Sequence, residues 1–323
     1  MITLNNNPIM NALNPNNIID AEETTEAVTT TETDTSQDSM TLKNYGGKLD
    51  PFMEVQKVEN RFPDGTINPT CYSIRMEGLF IDNVSKKYLL VPNRELVDIG
   101  HEIMDKSGIN FEHQKRFFNN KGNFKDIYFA KDSGLEKPVR EVGDLIGMAC
   151  EIQNSYGGQG SCMAGIKFYF QRLACLNGMV SNVFGFGHTF KHSLGNIDWQ
   201  DQIMQATSVL RNESEYRLTQ FVEACNNLQK PIDTTEIKLI REGYINELPK
   251  QQFGQLMDKY LTDNDFTAWG LLNAGTNVLW HANKLTNANF KSNAMVTDGL
   301  LQYGKDTLDV PFVDPNQLAI PGA

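Results

Sequence analysis

The chain has 323 residues, 40% of them hydrophobic and 21% charged, enough to bury a substantial core in one large domain or two small ones. A net charge of −11 speaks against a general coat for polyanions, because proteins that bind phosphate backbones broadly are usually basic. The five cysteines form no CxxC or CxxH pair, which argues against a disulfide framework or a zinc knuckle and fits reduced thiols.

Residues 1–42 hold seven acids and no Lys or Arg, so the rest of the chain carries only −4. This Asn-rich, then Thr/Glu-rich segment cannot bury enough apolar surface to offset its ordering entropy, and it is expected to be a disordered acidic leader. It opens with no basic region followed by an apolar run, and no apolar run approaches the roughly 20 residues that span a bilayer. A cytoplasmic, non-membrane protein is expected.

Residues 43–198 read as a β-rich core. Cys71–Ile81 alternates, with Tyr72, Ile74 and Met76 on one face. Pro92 and Asn93 precede a short helix with Leu96, Ile99, Ile103 and Met104 on one side. Phe111–Phe118 and Phe124–Ala130 flank Asn-Asn-Lys-Gly-Asn, which has the chemistry of a hairpin turn. Asp144–Asn154 and Ser161–Ala174 make a second pair of strands. After Trp199 the period becomes helical: Gln200–Leu228 lacks Pro and Gly, Asp233 or Thr234 can cap the next helix, and Pro249–Tyr260 and Phe266–Ala282 follow. Residues 199–308 form a helical part expected to pack on the core, and residues 309–323, with three prolines, an extended tail. The fold class is α+β, a sheet-rich half followed by a helical half.

Between Glu151 and Asp198 there is no acid. The stretch holds Lys167, Arg172, Lys191, His188 and His192 among aromatics and eight glycines. Aromatic faces with scattered cations suit single-stranded nucleic acid, whose bases stack on rings while cations follow the backbone. Tyr156, Tyr169 and Phe186 are the stacking candidates; a charge-free buried hairpin is the competing reading. His188 and His192 are four apart, as zinc ligands on a helix are, but Gly185 and Gly187 oppose a helix and no further ligand stands near, so no metal site is expected. Gly157–Ser161 lacks the GK[ST] ending of a phosphate loop, and Cys175 on an apolar strand reads as packed and inert. No catalytic residue and no cofactor are expected, and the chain reads as a non-enzymatic protein.

Asn154-Ser155-Tyr156-Gly157-Gly158, then Arg172-Leu173-Ala174-Cys175-Leu176-Asn177-Gly178-Met179, then Lys191-His192, then Thr267-Ala268-Trp269 through Asn273-Ala274-Gly275-Thr276 and His281 follow in order. Over about residues 70–285 these phrases resemble the phage- and plasmid-borne proteins of domain-of-unknown-function family 932. The chain departs from that pattern in having Gly157 where many members have Asp and Lys191 where Arg is usual. The resemblance implies a mobile-element context and no particular chemistry. At the shared positions Asn177-Gly178 is a turn or bulge signal, with glycine supplying a positive φ. Arg172 is placed to clamp a phosphate or to pair with a carboxylate of the helical half. Trp269 should pack in the core, with Asn273 bonding an otherwise unsatisfied backbone group.

The leading expectation is a single-stranded DNA-binding or annealing accessory protein of replication or recombination. By analogy with phage annealing proteins it would be a homo-oligomer. The alternatives are an interaction protein that inhibits a host factor and a virion structural protein.

Overall fold

The computed structural model describes residues 49–140, 142–156, 163–191, 198–282 and 286–307. The expected leader and tail lie outside these residues. The described residues divide into two compact units, one of 49–178 together with 182–222, the other of 179–181 together with 223–307.

In the first unit, β1 (Val55–Arg61), β2 (Ile67–Met76) and β3 (Leu79–Ser85) form a three-stranded antiparallel sheet. The alternation expected to run unbroken over Cys71–Ile81 is cut in two. Glu77 and Gly78 both have positive φ, 48° and 80°, the pair of left-handed residues that closes a two-residue hairpin. The turn reverses the parity of the alternation, so that Ile74 and Met76 before it share a core with Leu79 and Ile81 after it.

Helix α1 (Asn93–Ser107) follows, and Leu96, Ile99, Ile103 and Met104 are all buried as its periodicity requires. It ends at Gly108, left-handed with φ 77°. The larger sheet takes the order β10-β8-β7-β5-β4, with β4 at Phe111–Phe118, β5 at Asn123–Ala130, β7 at Leu145–Ser155, β8 at Met163–Arg172 and β10 at Phe186–Lys191. Two short strands, β6 (Lys137–Pro138) and β9 (Asn177–Met179), pair with β7 and β8. The β4–β5 hairpin closes as its turn residues predict, with Gly122 at φ 74° donating its N–H to the Asn119 carbonyl at 3.0 Å.

One face of this sheet is apolar. Met148, Cys150, Ile166 and Phe168 pack there against α1 and against Ile203 and Leu210 of α2 (Trp199–Asn226). Between β8 and β10 the backbones approach so closely that a Cβ on Gly187 would stand 2.3 Å from the Ile166 carbonyl oxygen, and one on Gly165 2.8 Å from that of His188.

The second unit holds α3 (Thr234–Gly243), α4 (Lys250–Asp263), α5 (Ala268–Trp280) and α6 (Asn287–Asp306). Asp233 caps α3 with a complete capping box, its carboxylate accepting from the Thr235 and Glu236 N–H groups at 2.8 and 2.9 Å. Trp269 is buried as expected. Asn273 is buried too, and its carboxamide oxygen finds no donor among the described residues. No helix among the described residues is long and apolar enough to cross a membrane.

Gly187→Val should cost about 2–3 kcal/mol in urea unfolding, because its side chain has to force β8 and β10 apart. Gly254→Ala, inside α4 with nothing within 4 Å of the added Cβ, should instead gain roughly 0.5–1 kcal/mol.

Candidate nucleic-acid interface

Strand geometry sends alternate residues to opposite faces. On the face turned away from α1, the pairing register sets Lys115 opposite Ile127, Ile127 opposite Glu151, Glu151 opposite Lys167 and Lys167 opposite Gly187. The adjacent row runs Phe117, Lys125, Gln153, Gly165 and Thr189. Lys125 and Lys167 therefore flank one carboxylate, and Lys115 lies one strand beyond it, across Ile127. Glu151 is buried and pairs with Lys125. Burial lowers the Lys167 ammonium, Glu151 opposes that shift and Lys125 adds to it. Burial alone brings Lys115 down to about 8. Its ammonium stands 5.4 Å from the Phe117 ring centre. Phe117 and Phe129 are half-buried on this face, while Gly187 and Thr189 leave its β10 side without bulky side chains.

The residues expected to bind nucleic acid separate on inspection of their positions. Lys167 is exposed within the lysine row. Lys191 ends β10 opposite Met163, and His192 lies outside the described residues. His188 points to the helix-covered side, where its Nε2 meets Gln202 Oε1 at 2.7 Å and its ring lies against Phe190. Phe186 stacks on Phe168, ring centres 5.0 Å apart.

Tyr156 and Tyr169 are 1% and 3% exposed and offer no ring to a base. Tyr156 instead accepts the Asn93 N–H at 2.7 Å, and burial raises its phenol well above the ordinary value. Arg172 is tied at 2.9 Å to Asp144, just before β7, so the carboxylate comes from the sheet region rather than the helical half. The positive φ expected at Gly178 sits at Leu176, φ 53°, while Asn177 and Gly178 are buried in β9. Leu176 uses its carbonyl to accept from Gln171 at 2.8 Å, which explains the unusual turn.

Sequence reading missed a second cluster, on the helix-covered face at the β4 edge. Asp126 is fully buried, and three donors converge on its carboxylate: Arg116 at 2.6 Å, His113 at 2.9 Å and the Tyr128 hydroxyl at 2.8 Å. Burial works against the Arg116 guanidinium, but its bond to Asp126 more than restores the charge. Burial, and then the bond to Asp126, raise the Tyr128 phenol. Beyond it His101 Nε2 meets the Tyr128 oxygen at 2.8 Å, and both imidazoles stand edge-on to the Tyr128 ring at 5.3 Å. Its members come from α1, β4 and β5, and no spacing in the sequence links them. The one available signal was the Asp next to the apolar run Ile127–Ala130 of β5. No group of three or more His, Cys, Asp or Glu among the described residues is arranged to hold a metal.

Asp126→Asn should cost about 3 kcal/mol, since it removes the charge that Arg116 and His113 share. Tyr128→Phe should cost about 1 kcal/mol. Because both variants disturb one network, urea unfolding of the double variant should show a loss smaller than the sum.

A family model described as Domain of unknown function (DUF932) matches residues 81–300. No curated protein and no solved structure matches the chain.

Proposed function

The chain belongs to the DUF932 family, and we propose that it binds single-stranded nucleic acid along the lysine-bearing face of its larger sheet, as a non-enzymatic accessory protein of replication or recombination. Lys115, Lys125 and Lys167 meet the phosphates, and Phe117 and Phe129 offer half-buried rings to the bases. The observation that carries this reading is that the register gathers three lysines from three strands on one sheet face with a single carboxylate, Glu151, between two of them, in a chain whose overall charge is −11. Positive charge gathered on one face of an acidic protein is costly by self-repulsion and useful when an anion lies there. Single strands suit the surface because every base has a face to stack, and no helix stands here to enter a duplex groove.

Two further features belong to this reading. The four cysteines among the described residues that carry free thiols fit a cytoplasmic protein. The sheet path ends at β10 and β4, so a homo-oligomer strung along one nucleic-acid strand has two strand edges on which to assemble.

Fluorescence anisotropy with labelled oligonucleotides across a salt series tests the interface. Replacing Lys115, Lys125 and Lys167 together by Gln should flatten the log–log salt slope by about 2, three contacts at roughly 0.7 each. An unchanged slope in the folded variant overturns the assignment. The Lys115 ammonium is present below about 8 and lost above it, so affinity should fall between pH 7 and pH 9. Lys115→Arg, which keeps its charge over that range, should remove most of the fall.

A further inference from the structure

The larger sheet ends at β4 and at β10, and the two ends are built differently. β4 is bulged at Gln114 and carries Glu112, Lys115 and Arg116, devices that keep an edge strand from pairing with a neighbour. β10 has no bulge. Its residues 186–191 keep one unbroken register with β8, and its one Lys, Arg, Asp or Glu is Lys191 at the very end. Among the described residues no strand lies on its other side.

Two glycine contacts show which backbone groups of β10 face outward. A Cβ on Gly187 would meet the Ile166 carbonyl oxygen at 2.3 Å, and one on Gly165 would meet that of His188 at 2.8 Å. Each of these carbonyls therefore points at the other strand across the β8–β10 gap. His188 and Ile166 are thus a hydrogen-bonded pair of the antiparallel ladder. By alternation, Gly187 and Thr189 turn their N–H and C=O groups to the free edge. Neither makes a backbone bond outside the ladder among the described residues, and both are exposed.

Unpaired ladder groups on a regular edge are a template for another strand, and the residue pattern of β10 selects a second copy of itself. Phe186, His188 and Phe190 lie on the helix-covered side, symmetric about His188, while Gly187 and Thr189 lie on the lysine side. We infer that two copies of the chain pair β10 to β10, antiparallel about a two-fold axis at His188. Phe186 then stands opposite Phe190 of the second copy, an aromatic cross-strand pair, and Gly187 stands opposite Thr189. Those last two are the residues whose N–H and C=O groups face outward, so the ladder continues across the seam. A slip of one residue would set the lysine side against the core side, which excludes that register.

The pairing completes the lysine face, and this consequence rests on the single-strand reading. Lys167 lies on β8, one strand in from the seam, in each copy. The two lysines flank a floor of Gly187 and Thr189 from both copies, three strand spacings apart, roughly 14 Å at ~4.8 Å each. One copy offers a single wall of this trough. The floor has no bulky side chain, which leaves room for a nucleic-acid strand between the walls.

Sedimentation velocity of the full chain without nucleic acid, over a concentration series, tests the seam. The wild type should show a reversible monomer–dimer equilibrium. Thr189→Pro deletes an N–H that points out of the sheet, so the β8–β10 bonds are kept. It should raise the dimer dissociation constant about tenfold or more, through the loss of one donor from each copy. Thr189→Lys keeps the N–H and should also weaken the dimer, because it brings like charges together at the seam. Circular dichroism checks that each variant is folded, and either folded variant decides. A wild type that stays monomeric throughout overturns the inference, and so does a dimer that the folded variants leave unweakened. Anisotropy with oligonucleotides separates the seam from the lysine interface. A dimer that binds no oligonucleotide keeps the seam and removes the interface. A monomer whose salt slope flattens in the triple lysine variant keeps the interface and removes the seam.

Discussion

The side chain of Asn154 organises the first unit. Buried near the end of β7, its amide donates at 2.9 Å both to the Val91 carbonyl and to Asn93 Oδ1. Asn93 passes the bond on, its own amide reaching the Pro51 carbonyl at 2.7 Å, and its N–H goes to the Tyr156 hydroxyl. Three chain segments meet through polar groups that burial would otherwise leave unsatisfied at a cost of about 1–3 kcal/mol each. The start of α1 is seated here, and no side chain caps it otherwise. Once α1 lies across the sheet, one face is core, and the other carries the lysine row beside buried Ile127, Glu151 and Tyr169.

That knot also accounts for part of the family phrase. Asn154 and Tyr156 belong to the first of the phrases on which the family resemblance rests, and their geometry is architectural. Tyr88 reaches the Ser155 carbonyl at 3.3 Å in the same region, joining the small sheet's core to the larger sheet. Arg172, in the next phrase, is similar: it is bound to Asp144 and faces Cys175 Sγ at 3.7 Å. A residue that recurs within a sequence pattern can be there because it satisfies buried polar groups, and a buried tyrosine is indistinguishable in sequence from one that stacks on a base.

The elements with strong local signals were legible. The Asn-Asn-Lys-Gly-Asn turn, the α1 stripe, the long Pro- and Gly-free α2 and the Asp233 cap all follow from short-range rules, and so does the α+β order. α6 is not legible as a separate helix, because in Asn287–Asp306 Asn, Ser and Gly interrupt the apolar residues; its Thr286–Asn289 capping box is what starts it. The candidate sites were half legible. Lys167 stood out because acids are missing around it, whereas Lys125 lies beyond β7 and Lys115 beyond β7 and β5, and only the register puts them on one face. The aromatic signal pointed inward, since alternating Phe on β8 packs against α2 rather than facing a ligand: Phe170 stacks on Phe221 with centres 4.1 Å apart.

A single extra residue makes both faces possible. Along β4, His113 pairs with Tyr128 and Lys115 with Ile127, so the register shifts at Gln114. In an unbroken strand His113 and Lys115 would share a face, while His113 and Arg116, three apart, would be on opposite faces. The bulge reverses both relations. It brings His113 and Arg116 onto the same buried Asp126 and sends Lys115 to the far side beside Phe117. β5 needs no such device, because Lys125 and Asp126 are adjacent and fall on opposite faces by simple alternation. The edge strand thus feeds a carboxylate on one side and a lysine cluster on the other, and a slip of one residue in its pairing would dismantle both at once.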